Sequence, residues 1–287
     1  MADKVVVAVD TRAVSASVLQ WLRTRWGRAA DFDIELVAVA DLGWVPVGAS
    51  DVSYRTGYEQ ALEESGEGVR ALLPGATVET TVMWGLPPDV LVDASTRADL
   101  LVLGSDKTGF FQGLVSGTLP LRVAAHSHCP VVVVPSGWTP GEPRVVVGVA
   151  LDATDAAVVE LGAREARRSG GGLRLLHAVT LPQSLLVEDL ITTETYDEVV
   201  EARTRLLTLA VEEVQARHPQ LEVSTALPRG RAVDALVEEA RDGALVVVGS
   251  HRRRALARLI LGSVSHDVLL NAPCPVIVVP TGDVRLT

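Results

Sequence analysis

The chain is written twice, and nothing else in it restricts the possible folds so strongly. KVVVAVD (4–10) returns as RVVVGVA (144–150), LLVLGS (100–105) as LVVVGS (245–250), and HCPVVVVP (128–135) as PCPVIVVP (273–280). The offsets are 140, 145 and 145, and the order is kept. A period of that length is a tandem pair of whole domains, because about 140 residues can bury a core of their own. SGWTPGEP (136–143) carries two Gly and two Pro without periodicity and reads as the linker. Domains are therefore expected over 1–137 and 143–287.

Within a copy, short β-branched runs alternate with segments of helical period. In the first half the runs are VVVAV, ELVAVA, VETTVM, LLVLG and VVVV, each bounded by turn residues. Strands that are apolar almost without interruption belong to a parallel sheet covered on both faces. Between them SASVLQWLRTRW sets Val18, Leu19 and Leu22 on one side of a helix, and EEVQARH ends a long helix in the second half. The order predicts an α/β fold: two tandem doubly wound domains, each with a five-stranded parallel sheet and right-handed crossovers. Ligands of such sheets sit off the C-terminal strand ends, where the strand order reverses. LLVLGS and VVVAVD, the fourth and first strands, flank that crevice.

Charge and cysteine content narrow the function. The net charge is −10, with 10 basic and 17 acidic residues before Pro143 and 16 and 19 from there on, so neither half is basic. That argues against nucleic acid or an anionic membrane surface as partner. Two cysteines, Cys129 and Cys274, make no disulfide framework. The start MADKVVVAVD lacks a signal-peptide pattern, and no apolar run nears the roughly 20 residues of a membrane span. A cytoplasmic protein is expected.

The most suggestive stretch is GSDKTGFFQGLVSGT (104–118), which should join the fourth strand to the next helix, and GSHRRRALARLILGS (249–263) repeats it. A helix N-terminus offers unpaired N–H groups and about half a positive charge, which favours anions. Gly117 would let the backbone approach a ligand, and Thr118 would cap the helix or turn its hydroxyl to a phosphate. Gly262 and Ser263 repeat the device. The same pattern also occurs in ligand-free α/β loops. Neither a P-loop Lys-Ser/Thr nor G-x-G-x-x-G is present.

These residues together resemble the universal stress proteins: a duplicated five-stranded domain with VVVAVD, LLVLGS, a loop closing on Gly-Thr or Gly-Ser, and CPVVVVP. The resemblance spans essentially all of both halves and implies the adenine nucleotide alpha hydrolase-like fold. Its ATP-binding members carry glycine, two residues, glycine, nine residues, then glycine with Ser or Thr. Gly104 and Gly117-Thr118 match in the first half, and Gly249 and Gly262-Ser263 in the second. The middle glycine is replaced by Lys107 and by Arg252. The family's aspartate near the ribose and valine near the adenine match Asp10 and Val39, but stand as Ala150 and Ala178 in the second copy. A Cβ at the glycine position brings a strain of about 1–2 kcal/mol, while the cation can pair with a phosphate. Ala150 cannot accept a ribose hydroxyl hydrogen bond, a loss of roughly 1–3 kcal/mol, and Asp152 is the nearest substitute.

The resemblance thus implies a non-catalytic regulator binding ATP or a related adenine nucleotide, with Mg²⁺ a possible companion. Its expected site is Asp10, Val39, Gly104, Lys107, Gly117, Thr118 and Leu119, with a weaker counterpart in Gly249, Arg252, Gly262, Ser263 and Val264. The alternative is a member that has lost its nucleotide and acts through protein surfaces; a slow nucleotide hydrolase is a third reading. The resemblance also implies a homodimer and pairing of the two last strands within one chain, an intrachain pseudo-dimer.

Other clusters read as structural. HSHC (126–129) has the residue types of a metal site, but adjacent residues cannot all reach one ion and no second cluster completes it, so no metal is expected. Arg252, Arg253, Arg254 and Arg258 form a short basic run on an acidic chain, read as a solvated loop or a phosphate contact. GFFQGLVSG is too short for a membrane helix; Phe110 and Phe111 could shield a ligand or partner. Glu63-Glu64 reads as the charged face of a helix. No Ser-His-carboxylate set is recognisable.

Overall fold

The structure is a computed structural model, which describes residues 3–10, 13–27, 32–41, 51–105, 118–180, 193–250 and 261–281. The chain divides into two compact units, and the linker is cut between Pro140 and Gly141.

In the first unit the order is β1 (Asp3–Val9), α1 (Ala16–Trp26), β2 (Phe32–Ala40), α2 (Asp51–Leu72), β3 (Ala76–Trp84), α3 (Pro87–Ala94), a 3₁₀ turn (Ser95–Arg97), β4 (Leu100–Ser105), α4 (Thr118–His126) and β5 (Val131–Pro135). The strands lie in the order β3-β2-β1-β4-β5, and every pairing is parallel. This is the expected doubly wound sheet, and its order reverses between β1 and β4. Valine fills the centre: Val5, Val6, Val7, Val102, Val131 and Val132 are fully buried. Helix α1 settles on β4 and β5 through Val18 and Leu22, as its period predicts, whereas Leu19 is only half-buried. Ser15 caps it by accepting a hydrogen bond from the Val18 amide at 3.3 Å.

The second unit repeats the plan with β6 (Glu142–Gly148), α5 (Asp155–Ser169), β7 (Leu173–Leu176), α6 (Thr193–Arg217), β8 (Val223–Ala226), α7 (Ala232–Asp242), β9 (Gly243–Gly249), α8 (Ser263–Asn271) and β10 (Val276–Val279). Its strands run β10-β9-β6-β7-β8, again all parallel, with the reversal between β6 and β9. Strand β6 begins at Glu142, inside the stretch read as linker, and Trp138 just before it is buried, so that segment is more ordered than its Gly and Pro content suggests.

Two glycines here are demanded by close approach. A Cβ on Gly162 would stand 2.3 Å from Val147 Cγ2, so the missing methyl lets α5 lie against β6. At Gly171 it would fall 1.2 Å from the Pro143 carbonyl oxygen, backbone that cannot give way.

One ion pair is set deep in the first unit. Arg97 donates to both carboxylate oxygens of the buried Glu35, at 2.8 and 3.2 Å, and Lys4 lies at 3.9 Å. The Arg97 hydrogen bond holds the Glu35 carboxyl below its ordinary range against the opposing effect of burial, and Glu35 in turn raises Arg97.

Candidate functional site

Strand register aligns the residues expected to hold a ligand. In the first unit Val9 pairs with Ala38, and Val7 with Val102. Continuing those parallel registers brings Asp10 level with Val39 on one side and Ser105 on the other, next to Gly104. The three positions form a row along the C-terminal strand ends and straddle the reversal point. Val39 is buried, Asp10 half-buried and Gly104 exposed. A Cβ on Gly104 would lie 3.4 Å from Val18 Cγ2 and 3.7 Å from Ser15 Oγ, which is ordinary contact. Gly104 thus faces the start of α1 and is not required by a positive φ. Helix α4 begins at Thr118, where the sequence pattern starts it, and Leu119 in its first turn is half-buried. Lys107 and Gly117 lie outside the described residues, as do Phe110 and Phe111.

The second unit has the same row with different chemistry. Gly148 pairs with Leu176 and Val147 with Val247, which carries Ala150 level with Ala178 and Ser250. The turn after β6 is already filled. Asp155 Oδ1 accepts from the Ala150 amide at 3.0 Å, and Oδ2 accepts from Leu151 at 2.6 Å and Asp152 at 3.2 Å. Leu151 has φ +61°, the only positive value outside glycine among the described residues. Successive amides that converge through such a left-handed residue form an anion-binding concavity, and here the anion is the protein's own. Burial raises the Asp155 carboxyl above its usual range, although the three amides oppose it and the Asp152 charge adds to it.

Asp152 is the substitute acceptor expected for a ribose hydroxyl. Its Oδ1 accepts from the amide and hydroxyl of Thr154, at 2.9 and 2.5 Å, a local turn that commits it to its own loop. Asp155 is the residue that sequence reasoning missed. A signal existed, since at the offset of 140 it takes the place of Ser15, the cap of α1.

At the other side of the reversal point, Gly262 is the N-cap of α8 and Ser263 its first helical residue, so the hydroxyl expected to cap the helix stands one position too late. The Gly262 amide donates to the Ser250 carbonyl at 3.2 Å, and Ser265 Oγ donates to the Gly249 carbonyl at 2.6 Å. These bonds tie the end of β9 to the first turn of α8. Val264 is half-buried in that turn, and Arg252 with the rest of its basic run lies outside the described residues.

The remaining clusters carry no site geometry. His126 Nδ1 lies 2.8 Å from the Arg122 carbonyl, His128 is exposed, and Cys129 is buried. Burial pushes the thiols of Cys129 and Cys274 up to about 12. Among the described residues no group of three or more His, Cys, Asp or Glu is placed to hold a metal, and no helix is long and apolar enough to cross a membrane. Glu63 and Glu64 are exposed on α2.

Comparison with known proteins now decides the family. The model of the universal stress protein family matches residues 1–135 and again 143–280. The chain belongs to the universal stress protein family. A universal stress protein of Mycolicibacterium smegmatis is 29% identical over 96% of this chain and 96% of its own length. Rv1996 of Mycobacterium tuberculosis, also a universal stress protein, is 30% identical over 77% of this chain and 69% of its own. Among solved structures, a universal stress protein from Archaeoglobus fulgidus superposes with a TM-score of 0.69 at 19% identity, covering 98% of this chain and 97% of that one. That likeness establishes the shared architecture, and the tandem arrangement of two universal stress protein domains matches the repeat read from the sequence.

Proposed function

We propose that this tandem universal stress protein is a non-catalytic regulator that binds one adenine nucleotide per chain, ATP or a relative, in its first domain. The observation that carries this reading is the contrast between the two turns. In the second domain the amides of Ala150, Leu151 and Asp152 are engaged by Asp155, and the Gly262 amide by Ser250. At the equivalent place in the first domain a neutral hydroxyl, Ser15, caps α1. A negative carboxylate fixed beside the second crevice repels the phosphates of an incoming nucleotide. Ala150 adds a missing acceptor for a sugar hydroxyl.

In the first domain Asp10 would accept from the ribose hydroxyls, Val39 would line the adenine, and Gly104 with the start of α4 at Thr118 and Leu119 would face the phosphates. Lys107 would pair with a phosphate oxygen, with Mg²⁺ carried on the nucleotide. The second domain, closed by its own atoms, would serve as a protein-contact module.

Calorimetric titration of ATP into the full chain tests this. One site per chain is expected, lost in Asp10→Ala and unchanged in Ala150→Ser. Two equivalent sites, heat unaffected by Asp10→Ala, or no heat at ATP concentrations on the order of millimolar would each overturn the assignment.

A further inference from the structure

Strand β3 is an outer strand: β2 pairs with one side of it, and among the described residues no strand pairs with the other. It is nine residues long and keeps register with β2 over its whole length, without a bulge. Natural sheets blunt such edges with short strands, prolines, lysines or bulges. The counterpart β8 is short, at four residues. The β3 sequence ATVETTVMW has neither proline nor lysine.

Main-chain direction tells which groups face outward. In a strand the two polar groups of one residue point to the same side, and the side alternates along the chain. The Gly85 amide donates to the Ala40 carbonyl of β2 at 3.1 Å, so the odd-numbered residues turn their main chain to β2. Val78, Thr80, Val82 and Trp84 therefore aim their amides and carbonyls outward. Arg70 of α2 agrees, because its guanidinium donates to the Val78 carbonyl at 3.3 Å. Among the described residues nothing pairs with the outward groups of Thr80, Val82 and Trp84.

The side chains beside this edge are acidic and apolar. Thr80 and Val82 line a groove of about 440 Å³ with Glu59, Leu62, Glu63 and Arg70 of α2. By alternation Trp84 falls on the same face. It is 42% exposed, and Leu86 just beyond it is 55% exposed. Glu79 is exposed on the opposite face. Neither Glu63 nor Glu79 has an ion-pair partner among the described residues, and Arg97, beside Met83, is already held by Glu35.

We infer that the β3 edge takes an extended basic segment of another protein, which adds to the sheet as a further strand. Main-chain bonds to Thr80, Val82 and Trp84 hold the segment. A lysine or arginine on its α2 side lies against Glu59 and Glu63, an apolar residue two positions away lies against Trp84, and Glu79 adds to the same negative field. Charge disfavours a second copy of this chain as the occupant. Two β3 edges joined antiparallel across a two-fold keep both α2 helices on one face, which gathers the acidic groups of both copies along one seam. This surface does not depend on a bound nucleotide.

Fluorescence anisotropy of a dye-labelled Thr-Lys-Thr-Lys-Thr-Leu-Thr peptide, and of its reverse sequence, titrated with the full chain tests the assignment. At least one should bind at low salt with a Kd on the order of 100 µM or tighter, and glutamate in place of both lysines should weaken it more than tenfold. N-methylation separates main-chain pairing from plain charge attraction. Methyl groups on one alternate set of peptide amides should abolish binding, while on the other set, which faces away from β3, they should change it less than about twofold. Glu59→Lys/Glu63→Lys, both on the exposed side of α2, should weaken the peptide at least tenfold with the thermal melt unchanged; should that variant not fold, the methylated peptides still decide. No binding by either peptide at protein concentrations up to about 1 mM, equal effects of the two methylated sets, or unchanged affinity in the charge-reversed chain would each refute the inference. A signal seen only while a preformed dimer comes apart would make a second copy the occupant and equally refute it.

Discussion

The carboxylate of Asp155 meets the backbone amide of Leu151 at 2.6 Å, and Leu151 is held there at a φ of +61°. Each half of this relationship explains the other. The left-handed residue turns three amides inward, and a fixed negative charge compensates three donors that would otherwise face one another unpaired.

Replacing Asp155 with the residue its counterpart carries should empty the concavity. Asp155→Ser is expected to lose about 1–2 kcal/mol of stability in chloride buffer, the cost of leaving the three turn amides without their carboxylate acceptor. Phosphate should then raise the melting temperature of the variant more than that of the wild type. Equal shifts in a thermal melt would show that the amides, once freed, do not take an external anion.

Leu151 itself stores strain. A side chain in the left-handed region costs roughly 1 kcal/mol, which glycine avoids at the expense of a more flexible unfolded chain. Leu151→Gly should therefore leave stability unchanged or raise it by up to about 1 kcal/mol, whereas Leu151→Val should lower it. Urea unfolding of the three proteins gives the comparison.

The Glu35–Arg97 pair predicts an acid-sensitive step. The folded-state pKa of Glu35 lies below its unfolded value, so its contribution is complete above the unfolded value and is lost as pH falls through the folded one. The ordinary value is 4.5, and the loss should begin near it and run to lower pH. Arg97 is partly exposed, which limits the pair to about 1–2 kcal/mol at neutral pH. Glu35→Gln should cost that much at pH 7 and almost nothing near pH 3. A constant difference across the range would assign the loss to packing.

Three glycines should separate cleanly by denaturant midpoint. Gly171→Ala meets backbone at 1.2 Å and should abolish folding of the second domain or cost more than about 3 kcal/mol. Gly162→Ala, opposite Val147 at 2.3 Å, should cost about 1–3 kcal/mol as α5 is pushed off the sheet. Gly104→Ala finds ordinary contact distances, and its cost should stay within about 0.5 kcal/mol. Loss of ATP affinity in this last, stable variant would then point to the ligand.

The sheet could be read before the structure because its order rests on redundancy. Val-rich runs repeat at nearly constant offsets, and five parallel strands joined by helices leave few topologies. The row of Asp10, Val39 and Gly104 was readable for the same reason, since parallel register converts sequence position into height along the strand. The position of Asp155 opposite Ser15 was readable from the offset, but its engagement of three amides was not. Its role depends on a leucine adopting a conformation that its own side chain disfavours, and local preference points the other way. The bonds from Gly262 to Ser250 and from Ser265 to Gly249 likewise join a strand end to a helix across a loop, a distance that no local pattern encodes.

The placement of Cys129 and Cys274 bears on which signals can reach this protein. A sulfur deep in the interior, whose proton leaves only near pH 12, presents almost no nucleophile to peroxide at cellular acidity. A thiol-reactive dye should stay colourless with the native chain and develop two equivalents when denaturant is added. These are its only cysteines. A cell under oxidative attack finds no open thiol on the folded chain, and a message about redox state would have to arrive by a route other than these two cysteines.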